Sequence, residues 1–148
     1  MAKKNKPQFY ATKHDTKLKN QFVTPKVGFY DEKPTFSFEH YQHAHQKYSA
    51  ICIQECEDFH TMFDRLKSMS KLTWKDILEA QHIYHFHPVE WISTSERNGF
   101  KLMPSELNEV PAWQFKLFKE CRIFGFFNQK NIFELVWIDR DHKVYPRK

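Results

Sequence analysis

Period-two alternation of apolar and polar residues marks several strands along this chain. In TFSFEHY, Phe36, Phe38 and His40 fall on one face and Ser37, Glu39 and Tyr41 on the other, as in a half-buried strand. YSAICIQ, with Ile51 and Ile53 flanking Cys52, predicts a second strand. Towards the C-terminus WQFKLF, CRIFGFF and IFELVWI alternate in the same way. They predict three consecutive strands with short turns between them. NQKN, residues 128–131, is the expected hairpin loop, although it lacks an Asn-Gly pair.

Between these strands the period changes. In ECEDFHTMFDRLKSMSK, Phe59, Met62, Phe63 and Leu66 recur at spacings of three and four, which predicts an amphipathic helix. Glu55 and Glu57 suit its positive end, and Lys67 and Lys71 its negative end. TWKDILEAQHIY predicts a second helix. Thr73 and Asp76 form its capping box, and Trp74, Ile77, Leu78 and His82 its buried stripe. Residues 88–112 carry turn formers at Asn98-Gly99, Pro104 and Pro111, and a short helical turn at Ser105-Glu106. Helices and strands are segregated. The fold class is therefore α+β, two helices packed on one face of an antiparallel sheet.

Composition adds a boundary. The 148 residues suit one domain, and a hydrophobic fraction of 41% is enough for a single core. Residues 1–26 hold seven Lys and one acid. Residues 1–33 thus read as a basic arm and 34–148 as the α+β domain. The arm is either a solvated tail or a segment that lies along nucleic acid. In the second case Lys3, Lys4, Lys6, Lys17 and Lys19 would contact phosphates. Phe9, Tyr10, Phe22, Phe29 and Tyr30 would stack on bases or dock on the domain. The net charge of +5 and pI of about 9.1 favour a polyanionic partner. Only three Gly are present, so no glycine-rich phosphate loop is encoded. Three Cys, with no secretory signal and no apolar run of the ~18 residues a membrane span needs, suggest a reducing, cytoplasmic setting and no membrane partner. Cys52 and Cys56 read as small buried apolar residues rather than ligands.

R-I-F-G-F, followed by I-F-E-L-V-W-I-D and H-K-V-Y after two helices, resembles the RelE/ParE-type toxin superfamily of small ribosome-dependent mRNA endonucleases. LTWKDIL, with the later strand patterns, is also similar to a set of short bacterial and phage proteins that carry no known activity. The resemblance covers about Pro34 to Pro146 and leaves the arm outside it. It implies a compact RelE-like fold and a metal-independent endoribonuclease acting on mRNA or translation, with no cofactor. It further implies RNA or the ribosome, and an antitoxin-like protein, as partners.

Such an enzyme needs basic side chains against the phosphate and an acid for the leaving 5′-oxygen. Arg122 would clamp the phosphate and His142 would be the acid/base. Tyr145 would donate a proton or stack on a base, and His85 would face the same cleft. Trp91, Lys143 and Arg147 would bind RNA. Each also has a plain reading. Arg122 can pair with Glu134 or Asp139, His142 can be a turn residue, and Tyr145 can close the core.

Two histidine groups complete the inventory, His40, His43 and His45, then His82, His85 and His87. Their spacing lacks the firm Cys or carboxylate pattern of a zinc site, so no metal is expected. Two other classes stay open, a non-catalytic module gripping nucleic acid or protein through the arm, and a histidine-based metallohydrolase.

Overall fold

The computed structural model describes residues 29–146. Strands are β1 (Phe36–Ser37), β2 (His87–Pro88), β3 (Ala112–Phe118), β4 (Cys121–Phe127) and β5 (Phe133–Asp139). Helices are α1 (Cys56–Met69), α2 (Trp74–Glu79) and α3 (Gln81–Tyr84). The five strands form one sheet in the order β1-β5-β4-β3-β2. β2 through β5 pair antiparallel, and β1 joins β5 in parallel. No described helix is long and apolar enough to cross a membrane.

The α+β class and the three-stranded meander agree with the sequence pattern. The N-terminal strands do not extend as alternation suggested. Only Phe36–Ser37 pairs, and the chain then turns away, so Phe38 is exposed. YSAICIQ holds a 3₁₀ turn, Ala50–Cys52, instead of a strand. Ile51 points to solvent and Ile53 enters the core.

The capping box at α2 is present as read. Asp76 N–H donates to Thr73 Oγ1 at 3.2 Å, and Thr73 N–H donates to Asp76 Oδ2 at 2.9 Å. The expected single helix nevertheless breaks at Ala80, with φ −94° and ψ 52°. Gln81 Nε2 donates to the carbonyl of Leu78, beside the break, and to that of Phe86, beyond the end of α3. On α1, Met62 and Met69 are buried, whereas Phe63 is 63% exposed and stands outside the stripe assigned to it.

Four rings form the spine of the helix-side core. Phe29 stacks on Trp74 at 5.7 Å, Trp74 on Phe86 at 5.2 Å, and Phe86 on Trp113 at 4.6 Å. Of the two roles open to Phe29 and Tyr30, docking on the domain is the one observed, and packing extends upstream of Pro34 at least to Phe29.

The sheet is covered on both faces. Opposite the helices, Tyr48, Phe100, Leu102, Leu107, Val110 and Val144 pack on Ala112, Phe124, Phe126, Val136 and Trp137. Segments of little regular structure supply this layer. Hence every residue of β4 and β5 is buried, where two helices on one face would have left the other face wet.

Asp58 ties α1 to the far end of the sheet. It is buried, accepts from Arg140 Nη2 at 2.8 Å and Nε at 3.0 Å, and faces Lys119 at 3.3 Å. Arg140 in turn lies over the Phe118 ring at 5.4 Å. Hydrogen bonds from Arg140 hold the Asp58 carboxyl below the usual carboxylate range, with Lys119 adding to the effect. A depressed folded value means the unfolded chain binds the proton more readily. The stabilisation is therefore present above the ordinary carboxylate value and is lost as pH falls through the folded one. Asp58→Asn is expected to flatten the acid limb of a stability–pH profile measured by urea denaturation.

Gly125 sits where the β4–β5 register shifts, against the Glu134 carbonyl. A Cβ there would meet that oxygen far inside contact distance and the Phe133 ring at 2.6 Å. Gly125→Ala should cost about 2 kcal/mol or more by overpacking. The urea midpoint should fall with its slope unchanged.

Candidate active site at the end of the sheet

Several site residues predicted from sequence meet where β2, β3 and β4 end on the face opposite the helices. The local cause is the ring stack. α3 closes on His85, a non-glycine residue in the left-handed region with φ 44°. That turn sends Phe86 into the stack, so its neighbours His85 and His87 lie to the other side. His87 then pairs with Gln114 in register. Its Nε2 hydrogen-bonds the Gln114 amide, and its Nδ1 lies 2.7 Å from the Pro88 carbonyl oxygen.

Alternation along β3 puts Gln114 and Lys116 on this face, because Trp113, Phe115 and Leu117 enter the helix-side core. Lys116 stands opposite Arg122 in β4, and Arg122 stands opposite Asp139 in β5. Of the two acids considered for Arg122, Asp139 is its cross-strand neighbour, and Glu134 is opposite Phe126. Arg122 is 8% exposed, and its Nη1 donates to the carbonyls of Lys119 and Cys121 at 3.4 Å.

Asp139 builds the turn that carries His142. It accepts from Lys143 N–H at 2.9 Å through Oδ1 and from Val144 N–H at 2.8 Å through Oδ2. His142, within this turn, has φ 60°. Its Nδ1 is buried and makes no hydrogen bond in the structure. Burial raises the Asp139 carboxyl above its ordinary value, against the two N–H donors that lower it. Tyr145 closes the turn. Its hydroxyl accepts from Glu90 N–H at 2.9 Å, and its ring lies over Phe124 and beside His87, at 6.5 and 6.2 Å. Burial raises its pKa, so the phenol keeps its proton.

Electrostatics bind the group together. Withdrawal of the His85 ring from water lowers its pKa first. The positive charges of Arg122, Lys116, His87 and His142 lower it further. His85 is thus held below its ordinary value, an imidazole that loses its proton readily beside the guanidinium of Arg122 and the ammonium of Lys116. Arg122 and His142 thus stand near enough to His85 to act on its charge, and Tyr145 anchors the turn of His142.

The remaining assignments fall elsewhere. Trp91 packs on Phe100 at 4.9 Å and Trp137 at 5.7 Å, within the second core layer. Gly99, at φ 68°, lies directly against its indole, leaving no room there for a side chain. Lys143 is exposed, and its carbonyl accepts from Ser95 Oγ at 2.7 Å. Lys3, Lys4, Lys6, Lys17, Lys19 and Arg147 lie outside the described residues. Cys52 and Cys56, expected to be buried, are half-buried and exposed respectively, because they flank the start of α1 on its solvent side, while Cys121 is buried in the sheet core. His45 leaves the N-terminal histidine group to cap a turn, accepting from the Lys47 and Tyr48 N–H groups through Nδ1.

Sequence reasoning left Lys116 and Gln114 out of the site. Their signal was present as the two polar positions of WQFKLF, but which end of that strand the histidines would reach depends on the left-handed turn at His85.

Removing a neighbouring cation should raise the His85 titration midpoint. Lys116→Met is the cleanest test, since Lys116 is only half-buried and lies at a strand surface. The His85 imidazole proton resonance, followed by NMR against pH, is expected to titrate below the ordinary value of about 6.5. It should shift upward in the variant.

Comparison with protein-family models, with curated proteins and with solved structures returned no match for the chain.

Proposed function

We propose that the protein is a metal-independent endoribonuclease of RelE/ParE type that acts on mRNA or on translation. One observation carries the reading. Lys116 and Arg122 are register partners on the face where His87 pairs with Gln114, and Asp139, opposite Arg122, holds the turn of His142. A phosphodiester is the substrate class that such a group suits.

The chemistry divides among named groups. Neutral His85 takes the proton of the 2′-hydroxyl as it attacks the adjacent phosphate. Arg122 and Lys116 balance the charge that grows on the phosphoryl oxygens. His142 returns a proton to the leaving 5′-oxygen, so the bond to phosphorus is exchanged without net proton change. Asp139 acts through the turn and is a positioning residue. Tyr145, its hydroxyl engaged by Glu90, holds the turn against Phe124 rather than delivering the proton.

Supplied with ribosomes translating a defined mRNA in the presence of EDTA, the protein should cut the message and leave 2′,3′-cyclic phosphate ends. His142→Ala and His85→Ala are each expected to slow cleavage by ~10²–10⁴-fold, the usual contribution of a general acid or base. Intact mRNA in this assay would discard the enzymatic reading. Binding of RNA without cleavage, unaffected by His142→Ala, would favour the binding module.

A further inference from the structure

A second group of ionisable side chains stands at the opposite end of β5. Ser37 and Glu134 are register partners in the parallel β1–β5 pair. The chain leaving β1 therefore passes the start of β5 and brings Glu39 and His40 to Glu134. One ligand atom from each of these three residues lies within 4.8 Å of the others. All three line a cavity of about 520 Å³, with Ser37, Asn128 and Lys130 on its wall.

Glu134 is the informative member. It is 3% exposed and faces Phe126 across the strand pair. Its Oε1 accepts from Asn128 Nδ2 at 2.8 Å, whereas Oε2 is buried and makes no hydrogen bond in the structure. A buried carboxylate oxygen without a donor is costly, and a cation removes that cost. The ring of His40 packs at 5.6 Å from that of Phe126, which holds the imidazole at the cavity. Glu39 is exposed and free to swing inward. Nothing in the chemistry at the other end of the sheet uses these groups.

We propose that Glu39, His40 and Glu134 bind a divalent first-row transition ion, zinc or manganese. One imidazole with two carboxylates is a borderline donor set that suits these ions better than calcium, which takes six or more oxygens. Bonds of ~2.0–2.2 Å need the three donor atoms to close by only about 1 Å, within reach of side-chain rotation. Three protein ligands leave positions open to water on the cavity side.

The test uses the full chain, stripped with EDTA and desalted, and titrated with manganese and with zinc by calorimetry. One manganese per chain is expected, with line broadening in NMR spectra centred on residues 37–41 and 126–134. Glu134→Gln, which retains an acceptor for Asn128, and His40→Gln should each weaken binding at least ~10-fold. Glu39→Gln should do the same, and its exposed position keeps the test valid if Glu134→Gln fails to fold. Absence of saturable binding of either ion, or affinity unchanged in all three variants, would overturn the site. So would broadening centred on residues 82–87. These readouts involve no RNA, so they stand or fall apart from the ribonuclease assay.

Discussion

The stack of Phe29, Trp74, Phe86 and Trp113 is the interaction on which the rest of the molecule depends. It joins four parts of the chain that are distant in sequence, namely the N-terminal 3₁₀ turn, α2, the residue before β2, and β3. Each near-parallel ring pair contributes about 0.5–1.5 kcal/mol beyond the apolar area it buries. More important is what the stack fixes. With Phe86 held between two indoles, the residues on either side of it have one orientation left, away from the helices. The imidazoles of His85 and His87 are therefore placed by this packing together with the end of α3 and the two-residue β2.

A second constraint follows from the meander. β4 and β5 are central and apolar on both faces, so both faces need a cover. Helices supply one. Chain with little repeating structure supplies the other, and such chain must find partners for its backbone groups in other ways. It does so locally and through side chains. Trp137 Nε1 donates to Gln42 Oε1 at 2.7 Å, Leu102 N–H donates to Asn108 Oδ1 at 2.7 Å, and Ser95 N–H donates to the Val144 carbonyl at 2.9 Å. Tyr48 donates to Glu96 at 2.8 Å, and burial, with that bond, raises its pKa, so the phenol keeps its proton. Ionisable side chains gather at the two ends of this covered sheet because the ends are where its polar residues emerge.

How much of this was legible depends on range. Period two in WQFKLF, CRIFGFF and IFELVWI is a local property, and β3, β4 and β5 match it. The capping box of Thr73 and Asp76 is likewise settled by residues three apart. β1 stops after two residues because, past Ser37, the alternation that Phe38 completes has no strand partner among the described residues. Ile51 misled in the same way. For the candidate site, residue types point to Arg122 and His142, since Arg and His next to strand ends attract attention anywhere. Glu134 did not stand out, because a lone acid in an apolar strand reads as a solvent-facing position. Its burial comes from Phe126 and from the hairpin residue Asn128, neither of which strand periodicity can place.

The parallel pairing of β1 with β5 has a consequence in time. Phe36 finds its partner in Phe133, across nearly the whole described chain. During synthesis the meander can close on itself as soon as β5 has been made, whereas β1 has waited since the start with an unpaired edge. Contacts of such long sequence separation form late and slow the search for the native state. β1 is also only two residues long, which keeps that waiting edge too short to recruit a foreign strand. Brevity that looks like a defect of the sheet thus protects the nascent chain from aggregation until its last strand arrives.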